Sequence, residues 1–221
     1  MTGHLSLDIA HMLAGGLVLV SFLLIYQTRL NALINVFAFQ AFLLSLAVAW
    51  QACMQGSPHL YITAAIALVF KSAVIPLTLH RIIRRLGIHR TIESAVGIGR
   101  TMLAGMALVA LSVIVMMPVT SASDIVARED LAFALSVVLL GFLMMISRRN
   151  AVGQVIGFMS IENGLILAAT GAKGMPLVVE ISISFSVLVA LFVIGIFLFR
   201  IRERFDTVDI HAMDDFRRDR V

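Results

Sequence analysis

Seven stretches of this chain are almost free of charge for long enough to cross a bilayer. They run from Ile9 to Tyr26, Ala32 to Ala52, Leu60 to Ile83, Thr101 to Val119, Leu131 to Ser147, Ala151 to Thr170 and Pro176 to Phe199. A helix rising 1.5 Å per residue crosses roughly 30 Å of hydrocarbon in about 20 residues. The pattern therefore predicts an all-α, polytopic membrane bundle of about seven transmembrane helices. The connections QTRLN, QGSPH, SRRN and GAKG are very short, which makes consecutive helices antiparallel neighbours. The opening MTGHLSLDIAHML lacks the positive start and small-residue cleavage site of a signal peptide, so the first span is expected to be retained.

Polar positions between the spans set the orientation. With the amino terminus outside, one face collects Arg29, then Arg81, Arg84, Arg85, Arg90 and Arg100, then Arg148 and Arg149, then six arginines from Arg200 onward. That is fourteen of the 17 basic residues. The other face receives Arg128, offset by Asp124, Glu129 and Asp130, and Lys173. Basic loops stay in the cytoplasm, so the carboxyl terminus is expected there. The segment from Arg200 to Val221 mixes Arg with Asp and Glu and has few large apolar residues. It reads as a solvated tail open to a cytoplasmic partner.

The pattern also repeats. RLNALINVFAFQAF from Arg29 returns as RNAVGQVIGFMSIE from Arg149, and Gly56-Ser57-Pro58 returns as Gly174-Met175-Pro176. Helices one to three thus resemble helices five to seven in the same orientation, a parallel repeat rather than an inverted one. The expected division is a three-helix unit over 1–86, a basic connection with helix four over 87–120, a second three-helix unit over 121–200, and the tail over 201–221.

Composition adds what the chain is not. Residues of the AVILMFWYC class make up 60% and charged residues 14%, with a mean hydropathy of +1.01. Soluble domains have about 45–50% apolar and 25% charged residues. No room remains for a soluble catalytic domain. The net charge of +4 and the pI near 10 are explained by topology, so nucleic acid is not expected as a partner. A single cysteine, Cys53, leaves no thiolate set for zinc or iron–sulfur. His11 and His80 lie at opposite faces, too far apart for a bis-histidine haem. No nucleotide loop, HExxH or nucleophile elbow occurs, and no cofactor is expected.

Candidate chemistry therefore rests on ionisable groups inside the spans, each costing about 2.5 kcal/mol or more at a helix centre unless partnered or wetted. Glu162 lies twelve residues beyond Asn150, ~18 Å deep and near the middle of the bilayer. Met159 and Ile166 share its face. The functional reading is a proton-binding carboxylate, the structural one a neutral packing group. Glu180 is four residues past Pro176, ~6 Å inside the outer boundary of helix seven, with Ser182, Ser184 and Ser186 near it. Lys71 stands midway along helix three. Pro76 follows five residues later and removes the backbone bond to Ser72, which predicts a bend. A buried ammonium exchanges protons with a nearby carboxylate or serves it as a fixed counter-ion. Asp8 and His11, one turn apart, read as an interfacial pair. Gln40, Asn35 and Gln154 read as bridges between helices.

The run ISRRNAVGQVIGFMSIENGLILAATG, followed by a proline-started helix bearing Glu180, resembles the hydrogenase-4 component E family, and the likeness covers nearly the whole chain. That family is similar to the small K-type subunit of respiratory complex I and to the C subunit of Mrp cation/proton antiporters. In K-type subunits an Arg-Asn pair precedes a membrane-embedded glutamate, and Arg149, Asn150 and Glu162 match that order in kind. Aligning the family's Gly-x-Glu with Gly157-Phe158-Met159 puts Met159 at the glutamate and Glu162 one turn later on the same face. The resemblance implies a non-catalytic subunit of a membrane-bound hydrogenase in the bacterial inner membrane. Its partners would be antiporter-like membrane subunits and the hydrogenase module. It would contribute a proton path through Glu162, with Glu180 and Lys71 as further relays, and anchor the complex. A purely structural anchor and a stand-alone secondary transporter are the rival classes.

Overall fold

The computed structural model describes residues 2–86, 97–119 and 125–171, and all of its regular structure there is helical. The elements are α1 (Thr2–Tyr26), α2 (Leu30–Gln55), α3 (Pro58–Ile66), a π-helical segment (Ala67–Val74), α4 (Ile75–Leu86), α5 (Ile98–Val119), α6 (Ile125–Ser147) and α7 (Ala151–Gly171). With α3, the π segment and the start of α4 counted as one span over Pro58–Arg81, six helices among the described residues are long and apolar enough to cross a membrane. The chain is thus an all-α, multi-pass membrane protein. The seventh expected stretch with Glu180 and its serines, the repeat partner 174–176, the tail and positions 87–96 of the basic connection lie outside the described residues.

Local chemistry accounts for the helix boundaries. Gly56 adopts φ 63, in the left-handed region that glycine enters without strain, and Ser57 N–H returns to the Ala52 carbonyl at 3.3 Å. Pro58 then starts α3 at a position where its missing N–H is no loss. The helix expected from Thr101 begins at Ile98, and the one expected from Leu131 begins at Ile125.

The bend expected at Pro76 takes a more extended form. Pro76 has no N–H for the Ser72 carbonyl, and the ladder before it widens into eight residues of π-helix, with Ile75 N–H bonded to Phe70 O, five residues back. Within this segment Lys71 is turned fully inward, while Leu68, Val69 and Phe70 face out.

Helix α2 is central, packing against α1, α3, the π segment, α4 and α7. Helix α6 packs against α1, α5 and α7. Helices that the expected repeat would equate are neighbours, α1 with α6 and α2 with α7. Leu17, Leu24, Leu33, Ile34, Phe37 and Leu44 fill the centre. Helices α6 and α7 approach most intimately through glycine. A Cβ on Gly141 would stand 2.7 Å from Ile161 Cγ1 and 2.9 Å from the Gly157 carbonyl. One on Gly164 would stand 2.9 Å from both Ala134 O and Val138 N. Small residues let the two backbones meet, the usual device where lipid supplies no hydrophobic drive. Outward residues such as Leu19, Ile114 and Ile146, exposed by 67%, 64% and 79%, suit lipid rather than water.

This packing predicts that Gly164→Ala and Gly141→Ala each destabilise the detergent-solubilised protein by about 1–3 kcal/mol, the usual cost of overpacking. Gly99→Ala, whose Cβ meets nothing within 4 Å, does not lower the unfolding temperature.

Candidate functional site

Most charged residues of the described helices sit toward helix ends. Lys71 and Glu162 are the two that stand mid-span, and the fold brings them together. Lys71 Nζ lies 3.2 Å from Glu162 Oε2, and both side chains are only 2% exposed. The π segment delivers the lysine and α7 the carboxylate, two elements separated by 91 positions in sequence.

Neighbouring side chains complete the cluster. Lys71 Nζ donates to Asn163 Oδ1 at 2.9 Å, and Asn163 Nδ2 donates to Gln40 Oε1 at 3.2 Å. Gln40 Nε2 donates to Ser160 Oγ at 3.0 Å and to Ser21 Oγ at 2.8 Å, and Ser21 Oγ donates to the Leu17 carbonyl at 2.8 Å. The network joins α1, α2, the π segment and α7, and each of its side chains is at most 2% exposed. An unsatisfied polar group at such depth would cost several kcal/mol, so satisfying each member stabilises this arrangement of helices against others.

Chemically, an amine and a carboxyl at 3.2 Å share one proton in two ways, as ammonium with carboxylate or as neutral amine with carboxylic acid. They titrate as a pair. With no other ionisable group mid-span on the described helices, the pair is the one place among them where a proton can reside at the centre of the membrane.

The remaining expectations divide. Met159 and Ile166 are buried beside Glu162. Gln40 does bridge helices, whereas Asn35 faces outward and Gln154 donates to the Arg148 carbonyl just before its own helix, at 3.1 Å. The expected Asp8–His11 pair gives way to another. Asp8 is exposed, and His11 Nε2 lies 3.7 Å from Oδ1 of the buried Asp130 on α6, across the α1–α6 packing that spacing along α1 alone does not reveal.

Arg148, read as a topology charge, has a second role. It is 3% exposed, and its Nη2 donates to the carbonyls of Leu24, Ile25 and Gln27 at 3.1, 2.7 and 2.8 Å. A guanidinium here satisfies orphan carbonyls at the C-terminal end of α1 and complements its dipole. Ser21 and Ser160 join the cluster as well. A serine in an apolar helix gives no signal until its neighbour across the interface is known.

These features define a class of protein: a polytopic membrane protein that encloses a lysine–glutamate pair in a hydrogen-bonded core. No protein-family model matches the chain, and no solved structure matches it. An uncharacterized protein of Mycobacterium tuberculosis is 30% identical over 210 residues, covering 92% of this chain and 94% of that one. Hydrogenase-4 component E of Escherichia coli K12 is 29% identical over 217 residues, covering 96% and 98%, and that of Shigella flexneri matches to the same extent. The chain thus resembles hydrogenase-4 component E along almost its whole length. It is a multi-pass protein of the bacterial inner membrane.

Removing one member of a buried pair strands the other, at a cost of about 3–5 kcal/mol. Lys71→Met should therefore lower the unfolding temperature sharply, and Lys71→Met combined with Glu162→Leu should recover at least half of the loss. Size-exclusion of heated, detergent-solubilised protein reads both. Strictly additive losses would contradict the pairing.

Proposed function

We propose that this chain is a non-catalytic membrane subunit of a membrane-bound hydrogenase complex, in which the Lys71–Glu162 pair carries protons through the membrane arm. The observation that supports this most is the pair itself, an amine and a carboxyl at 3.2 Å in the middle of spans that carry no other charge away from their ends. A group that costs so much to bury is usually retained for ion movement or as a fixed counter-ion. The likeness to hydrogenase-4 component E supplies the context. The hydrogenase module and antiporter-like membrane subunits are the partners, and the redox chemistry belongs to them.

In this mechanism the pair is loaded from one side and discharged to the next carrier. A proton added to the ammonium–carboxylate form rests on Glu162, giving ammonium and carboxylic acid together. Departure of a proton from Lys71 leaves amine beside carboxylic acid, and exchange within the pair restores ammonium and carboxylate. Asn163 holds Lys71 in place throughout, and the dry surroundings confine the proton to the polar cluster. Glu180 is a further relay in the same path. The pairing of α1 with α6 and of α2 with α7 supports a duplicated origin, with three-helix units over 1–86 and 121–200.

The test has two stages. Pull-down of the native complex on a carboxyl-terminal tag should bring a nickel–iron hydrogenase subunit and antiporter-like proteins with the chain. Glu162→Gln in that complex should then lower proton translocation into inverted vesicles at least tenfold, while hydrogenase electron turnover measured with an artificial acceptor stays unchanged. Full translocation by the variant would leave a structural anchor. Recovery of the chain alone, moving solute in vesicles, would favour a stand-alone transporter.

A further inference from the structure

The buried cluster admits one orientation of its two amides, and a backbone carbonyl of α1 selects it. Ser21 commits its hydroxyl proton to the Leu17 carbonyl at 2.8 Å, which leaves its oxygen an acceptor toward Gln40. The Gln40 atom facing Ser21 must therefore be the amide nitrogen, whose second proton goes to Ser160 Oγ at 3.0 Å. Gln40 Oε1 is then turned to Asn163, which must meet it with nitrogen at 3.2 Å and so presents its own oxygen to Lys71 at 2.9 Å.

The last step bears on the chemistry. An Asn163 turned the other way would set an N–H against the ammonium. The carbonyl instead accepts from the ammonium and, more weakly, from a neutral amine, which still has protons to give. Lys71 is thus held in the same place whether the shared proton lies on it or on Glu162.

We infer that Gln40, oriented by Ser21, is a positioning residue for proton exchange between Lys71 and Glu162, acting through Asn163 and touching neither member of the pair. The inference rests on the reading of that pair as a proton carrier. It assigns to Gln40 more than the bridging of helices, because a bridge needs hydrogen bonds of either polarity whereas this role needs one polarity only.

Among the described residues, no other titrating group stands at the depth of the pair. No ionisable residue lies between Met12 and Ile25 of α1, Leu30 and Ala52 of α2, or Leu131 and Ile146 of α6. On the third span the nearest are Tyr61 and His80, ten and nine residues from Lys71, and α7 carries Glu162 alone. A shift shared by Gln40→Leu and Ser21→Ala and absent from Ser21→Thr therefore reports on the cluster that holds the pair.

The experiment compares the pH profile of proton translocation by the native complex in vesicles, with electron turnover recorded alongside. Gln40→Leu removes both donors and the acceptor at similar size. Without the Asn163 carbonyl held against it, the protonated amine loses a charge-assisted hydrogen bond, and the profile should move toward acid by about one pH unit. Ser21→Ala, which deletes only a hydroxyl and decides the matter if Gln40→Leu does not assemble, should move it the same way by less. Ser21→Thr, keeping the hydroxyl, should restore the wild-type profile. Profiles of Gln40→Leu and Ser21→Ala that overlay the wild type overturn the inference and leave Gln40 a packing bridge. Glu162→Gln, run in parallel, separates the two levels: if it translocates normally, the proton-carrier reading itself has failed.

Discussion

Everything in this bundle accommodates one costly interaction, the burial of Lys71 beside Glu162 at membrane depth. Neither charge is tolerable there alone, and their attraction offsets the loss of hydration only with close geometry and further hydrogen bonds. The fold supplies both. The π segment turns Lys71 inward, α7 carries Glu162 and Asn163 on adjacent positions, and α2 contributes Gln40 between them and Ser21 of α1. The polar network is thereby a register device for four elements, since sliding any one by a turn would break at least one of its hydrogen bonds in a medium that offers no replacements.

Two features outside the network give it a rigid frame. The glycines of α6 and α7 bring these backbones into contact, so α7 has little freedom to rotate Glu162 away. At the arginine-rich end, Arg148 ties the α6–α7 connection to the last carbonyls of α1, the helix that carries Ser21. The π segment is the contrasting element. Its i→i−5 bonds are a rarer alternative to the α-helical ladder, and it is where Lys71 is mounted.

Much of this was legible in the residues, for reasons that differ between levels. The spans were readable because a bilayer demands long uncharged runs, and their orientation because fourteen of 17 basic residues fall on one side. Lys71 and Glu162 were readable because charge is so rare mid-span that each instance stands out. Their pairing was not, since depth along a helix gives no rotation about it. Ser21 and Ser160 were invisible for the same reason. Pro76 announced a disturbance, but whether the helix bends or widens depends on what can satisfy the freed carbonyl. Arg148 resembled its exposed neighbour Arg149 in sequence, and only the arrival of the end of α1 beside it gives it a buried role.

The central claim is that Glu162 changes its protonation while the complex works. Infrared difference spectroscopy of the native complex, recorded with and without reductant driving turnover, reads the carboxylic acid band of a protonated buried glutamate directly. A band that rises or falls with turnover and is abolished by Glu162→Gln is the result this account predicts. A difference spectrum identical in wild type and Glu162→Gln would contradict it, leaving the pair a permanent strut between the π segment and α7.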